Sequence, residues 1–172
     1  MVKKGQNERK LRSVFCVFTL VKTELTIFIA VDNLIKHAQH FLKYELLKRG
    51  LSAKEDGVGD FRFKSETGQT HATTVKVLNL ETAERSVKIP KSIWNYDLPK
   101  NTWVALVLFV RENEPWAYLI PAKVFEKPNR VFIGNDQGER MKHFSTWEIK
   151  VFGDGMKELS EFALANSVKE LV

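Results

Sequence analysis

The chain has one cysteine, Cys16, in 172 residues, so an internal disulfide is excluded and nothing asks for an oxidising compartment. It also lacks a glycine-rich phosphate loop, a strand-to-helix nucleophile elbow and any zinc-ligand spacing, which removes three large classes of enzyme and binding module. Long apolar runs are missing too. The longest apolar-rich stretch, Val14–Ala30, is interrupted by Lys22 and Glu24 and is followed by no small-x-small cleavage pattern. It therefore reads neither as a secretory signal nor as a membrane span, and a cytoplasmic protein without membrane contact is expected. No internal repeat or low-complexity tract is visible.

What is present is the composition of an ordinary globular chain, 44% hydrophobic and 28% charged, long enough for one core. A net charge of +6 invites nucleic acid as a partner. Its distribution weakens the invitation. Residues 1–30 carry six Lys/Arg against two acids, whereas the other 142 residues hold 21 basic and 19 acidic groups. Residues 1–30 read as a basic, apolar extension in which Ser13–Lys22 and Glu24–Ala30 suit a β-hairpin, and residues 31–172 as a single α/β domain.

Within that domain Asp32–Arg49 has a helical period, with Leu34, Ile35, Ala38, Phe41, Leu42 and Leu46 recurring and Gly50 suited to a left-handed stop. Strands follow near Leu51–Gly59, Asp60–Lys64, His71–Leu80 and Ser86–Pro90, with a helical turn expected over Pro90–Trp94. The unbroken apolar run Thr102–Val110 predicts a strand covered on both faces. A hairpin return at Trp116–Ile120, strands near Arg130–Ile133 and Trp147–Phe152, and an amphipathic terminal helix over Met156–Val172 complete the reading. This order predicts one central mixed sheet flanked by the N- and C-terminal helices.

Three residues could carry chemistry. Glu45 falls in the series Leu34, Ala38, Phe41, Glu45, inside the apolar arc of the first helix. Two readings are open there: its stem reaches water or pairs with Arg49, or it faces an active-site pocket. Asp60 starts a strand after Gly57-Val58-Gly59, and Lys76 lies on the next strand, which a turn at Glu66–Gln69 folds back alongside. An aspartate and a second carboxylate on Mg²⁺, with a lysine beside the attacked phosphate, make a metal-assisted phosphodiesterase site. By spacing alone, an aspartate at a turn and a lysine on an edge strand more often serve as a cap and a solvated side chain.

The ordered set Glu45-Leu46-Leu47-Lys48-Arg49-Gly50-Leu51, Gly59-Asp60 and Val75-Lys76, then Ile89-Pro90-Lys91, Val104–Val110 and Trp116–Ala122, resembles PD-(D/E)xK nuclease-like domains, including small bacterial restriction-endonuclease-like proteins. The likeness covers roughly Asp32 to Phe125. It implies a restriction-endonuclease-like fold in which Asp60 and the Val75 carbonyl hold Mg²⁺, Lys76 is the catalytic lysine, Glu45 matches an acid of the first helix, and DNA is the substrate. Thr74 stands where the family has Glu or Gln, so a cation loses a charged ligand there. Either Glu45, Glu55 or Asp56 supplies that charge, or the site no longer cuts and the domain binds nucleic acid or a protein instead.

Other signals are weaker. Lys88, Lys91 and Lys100 flank Trp94 and form the one local patch suited to phosphate contact, set against a solvated loop. Trp94, Trp103, Trp116 and Trp147 occupy strand-like settings that favour packing over base stacking. His37 and His40 share a helix spacing but no further ligand, and His71 and His143 are isolated. The apolar N-terminal segment offers a route to a homo-oligomer.

Overall fold

The computed structural model describes residues 32–171 apart from Glu112, and the chain divides into two units, Met1–Leu34 and Ile35–Val172. The hairpin expected over Ser13–Lys22 and Glu24–Ala30, Cys16 and the oligomer contact expected of that segment lie outside the described residues. Among those residues no helix is long and apolar enough to cross a membrane.

Helix α1 spans 32–48 and stops as its sequence directs. Gly50 takes φ 81°, a conformation glycine adopts without a side-chain clash, while the Gly50 and Leu51 amides donate to the carbonyls of Leu47 and Leu46, both at 3.0 Å. The face that α1 buries is rotated from the expected one. Ala38, Gln39, Leu42 and Leu46 are at its centre, and Phe41 and Glu45 are half-buried along its margin.

Strands β1 (Ser52–Gly57), β2 (Asp60–Lys64) and β3 (Thr70–Asn79) form an antiparallel meander. Phe61 and Phe63 alternate with exposed Arg62 and Lys64, as expected of a strand with one face buried. Strand β5 (Thr102–Phe109) lies parallel to β3, and β6 (Trp116–Pro121) antiparallel to β5, giving a five-stranded mixed sheet in the order β1-β2-β3-β5-β6. The apolar run of β5 serves both faces. Val104, Leu106 and Leu108 enter one hydrophobic cluster, and Ala105 and Val107 join Ala38, Leu42, Leu46, Phe61, Phe63 and Val75 in a second.

One sheet was expected, and there are two. Strands β4 (Ser86–Pro90), β7 (Phe132–Asn135) and β8 (Thr146–Lys150) form a separate antiparallel sheet in the order β4-β8-β7. Val87, Ile89, Trp147 and Ile149 pack with Val104, Leu106 and Leu108. The face opposite α1 is thus covered mainly by strands, with Leu159 of the C-terminal segment joining the same cluster.

The single terminal helix expected over Met156–Val172 is also broken, into α2 (Met156–Ser160) and α3 (Leu164–Ser167). The edge strand β6 supplies the reason. The Leu119 amide donates to the Phe162 carbonyl at 2.8 Å, and Tyr118 bridges Ala163, whose ψ of 136° is extended. An amide that would otherwise be buried without a partner straightens the chain there.

Candidate functional site

The turn before β2 is built to present Asp60. Gly57 and Gly59 take φ of 139° and 88°, backbone that a side chain would strain. From α1, the Gln39 amide donates to the carbonyls of Gly57 at 2.7 Å and Asp60 at 3.0 Å, and the Val75 amide donates to the Gly59 carbonyl at 2.6 Å. Gln39, 3% exposed, therefore ties the start of β2 to α1, and the Val75 amide ties it to β3. It was missed in the sequence; its signal is a polar residue in the series Ile35, Gln39, Leu42, Leu46, where an apolar one would be expected.

Across the β2–β3 ladder Asp60 is directly opposite Thr74, and Lys76 follows two residues on. Asp60, Thr74 and Lys76 consequently share one face of the sheet, and Phe61, Thr73 and Val75 the other. The sharing is also electrostatic: burial pushes the Lys76 ammonium pKa below its ordinary value, and the Asp60 carboxylate pulls it back up. An open cleft of about 310 Å³ is lined by Asp56, Asp60, Arg62, Thr74, Trp94 and Thr102 among others. Lys76 is half-buried, one pleat beyond Thr74. Asp56 and Arg62 pair at 2.5 Å, so Asp60 is the carboxylate of the cleft left without a cationic partner at ion-pair distance among the described residues.

Mg²⁺ takes oxygen ligands and depends on charged ones for affinity. Here it would find Asp60, the neutral hydroxyl of Thr74 and Asp56 already engaged by Arg62. No group of three or more His, Cys, Asp or Glu side chains able to hold a metal occurs among the described residues. The donor set does not fit a tightly held resident Mg²⁺.

Glu45 does not join this cleft. It belongs to α1, on the opposite face of the sheet, and lines a second cleft of about 320 Å³ with Phe41, Arg49, Glu114 and Trp116. It accepts from Arg49 Nη1 at 2.6 Å and Lys48 Nζ at 3.0 Å. The Arg49 hydrogen bond holds its carboxyl below the usual range, opposed by burial and supported by Lys48.

The three flanking lysines separate as well. Lys88 and Lys100 are exposed, and Lys88 is opposite Glu148 on β8. Lys91 is not in a solvated loop. It opens the 3-10 turn Lys91–Trp94 at 4% exposure, with Nζ 3.7 Å from the Trp147 ring centroid and 2.7 Å from Asp136 Oδ1. Trp94 and Trp147 are buried and Trp103 is half-buried, but Trp116 is largely exposed, against the packing expected of all four.

His71, expected to have no role, is a core residue. Its Nδ1 accepts from Trp103 Nε1 at 3.0 Å, its ring stacks on Phe63 at 5.0 Å, and Nε2 has no partner among the described residues. Burial pushes its pKa below the usual histidine value. The unfolded chain thus binds a proton near pH 6.5 that the folded chain resists, so stability present above that pH is lost as pH falls through it. Melting temperature is expected to drop between about pH 7 and 5. In His71→Gln, which keeps an acceptor for Trp103 but cannot titrate, that part of the slope should vanish; an unchanged slope would assign it to other groups.

The Ile35–Val172 unit is a mixed α/β domain with a five-stranded mixed sheet and a polar cleft at the Asp60–Thr74 pair. The chain matches no protein-family model, no curated protein and no solved structure.

Proposed function

We propose that Ile35–Val172 is a nuclease-like domain of restriction-endonuclease-like topology that binds DNA at the Asp60–Thr74 cleft, with Lys76 on the same face one pleat away, its Mg²⁺-dependent hydrolysis silenced by threonine at position 74. The supporting observation is the common face of Asp60, Thr74 and Lys76 beside one open cleft. A helix, three antiparallel strands and a further strand parallel to the third accord with the resemblance. A partly dehydrated lysine gains most from an anionic partner, and phosphate is such a partner. Asp60 without a second free carboxylate is a weak cation site, so the first step of metal-assisted hydrolysis lacks its ion. A second reading, residual Mg²⁺-dependent cutting with Asp56 as the other acid, is favoured by Asp56 lining the same cleft.

Plasmid and linear DNA, with and without Mg²⁺ or Mn²⁺, separate the two. Binding without cutting is expected, with Lys76→Ala weakening affinity about tenfold, the worth of one charge-assisted hydrogen bond. Metal-dependent cutting that disappears in Asp60→Ala would establish the second reading. DNA binding indifferent to Lys76→Ala would sink both.

A further inference from the structure

The 3-10 turn that carries Trp94 into the cleft also begins an exposed patch that neither reading uses. Two residues past Trp94, Tyr96 is in left-handed backbone at φ 64°, after Asn95 at φ 52°. This conformation is costly for a bulky residue and concentrates at functional sites. The Tyr96 amide donates to the Lys91 carbonyl at 2.8 Å, and the Lys91 amide to the Ser145 carbonyl at 2.9 Å. This second bond joins the turn to the neighbouring 3-10 segment Glu139–Phe144. That segment has no buried residue. Phe144 is 58% exposed with His143 against it at 4.0 Å, and Lys142 Nζ is 4.8 Å from the centroid of Tyr96, itself 36% exposed. Arg140 and Lys142 make no ion pair with a carboxylate among the described residues, and Glu139 is the one acid of the segment.

A Tyr96 ring under Lys142, and an exposed Phe144 on the same short segment as Lys142 and Arg140, suit one ligand chemistry: bases with exposed π faces joined by phosphates, as in a single strand. A duplex hides its base faces, and a purely apolar partner would leave Arg140 and Lys142 without use. We infer that Tyr96 and Phe144, with Arg140 and Lys142, form a stacking platform for unpaired nucleotides beside the Asp60–Thr74 cleft that Trp94 lines. This rests on the reading above only in taking nucleic acid as the ligand.

The test is fluorescence anisotropy of the full chain with labelled oligothymidylate and with a duplex, using Phe144→Leu and Tyr96→Leu. Both residues are surface-exposed and leucine keeps the apolar character, so folding, checked by circular dichroism, is retained. Each substitution is expected to weaken oligothymidylate binding about tenfold, as for one lost base stack, and to leave duplex binding unchanged. Single-strand binding that survives Lys76→Ala but not Phe144→Leu keeps the platform even where the cleft reading falls. Binding unaltered by both leucine substitutions, or no oligothymidylate binding at all, overturns the platform and points the patch to a protein partner.

Discussion

Thr74→Glu is expected to destabilise the metal-free protein by about 1 kcal/mol and to tighten Mg²⁺ or Mn²⁺ binding by about a hundredfold. Position 74 is 8% exposed and directly opposite Asp60 on the same face. A glutamate there puts two carboxylates side by side in a partly dehydrated cleft, where like charges repel. A divalent cation relieves that repulsion and gains a second charged ligand. A unit charge a few ångströms from another is worth several kcal/mol at an effective dielectric near 20, and dehydration of the ion and carboxylate takes back part of it; about 2.7 kcal/mol remains for the hundredfold change. Titration calorimetry measures the affinity, and thermal melts in chelator and in excess metal measure the opposing stability terms. Thr74→Gln, without the charge, should show neither effect. If Thr74→Glu folds and binds metal no better than wild type, Asp60 and residue 74 do not form a cation site, and the account of a silenced centre is wrong.

The second large effect is at Lys91. Lys91→Ala should cost about 2–3 kcal/mol of stability, and Lys91→Met about 1 kcal/mol, because methionine keeps the buried stem and loses only the charge. Asp136 is 79% exposed, so water screens the ion pair and its share is small. Most of the loss comes from the cation over Trp147 and from the packing of the stem. Gly134 leaves room for this arrangement. A Cβ there would approach the Trp147 ring to 3.0 Å and Lys91 Nζ to 3.6 Å. Lys88→Ala and Lys100→Ala, at exposed positions, should stay within about 0.5 kcal/mol. Urea unfolding midpoints decide the matter, and a Lys91→Ala value no larger than that of Lys88→Ala would remove Lys91 from the core.

Much of the local structure was legible because its causes are local. The α1 period, the Gly50 stop, the meander ending in Thr70–Asn79 and the strand Thr102–Phe109 follow from spacing, turn chemistry and an apolar run. The common face of Asp60 and Lys76 was not fixed by the turn at Glu66–Gln69: Lys64 pairs with Thr70, which puts Asp60 opposite Thr74, whereas a loop of Glu66–Gln69 alone, one residue shorter, would set Asp60 opposite Val75 and turn Lys76 to the other face. Of the residues at the centre of α1, Ala38, Leu42 and Leu46 were expected there and Gln39 was not. The periodic series through Glu45 and the one through Gln39 differ by a small rotation, and only the partners of the helix choose between them.

The sequence by itself determined the elements and the stops, because these depend on backbone dihedrals and on neighbours a few residues away; the strand register that puts Asp60 and Lys76 on one side of the sheet was settled only by the assembled ladder. The tertiary structure alone decided which strands left to form a second sheet, where the terminal helix broke, and that Lys91 sits under Asp136 and over Trp147. Those outcomes depend on which buried amides and cations find partners far along the chain, and such pairings are fixed only when the whole core is assembled.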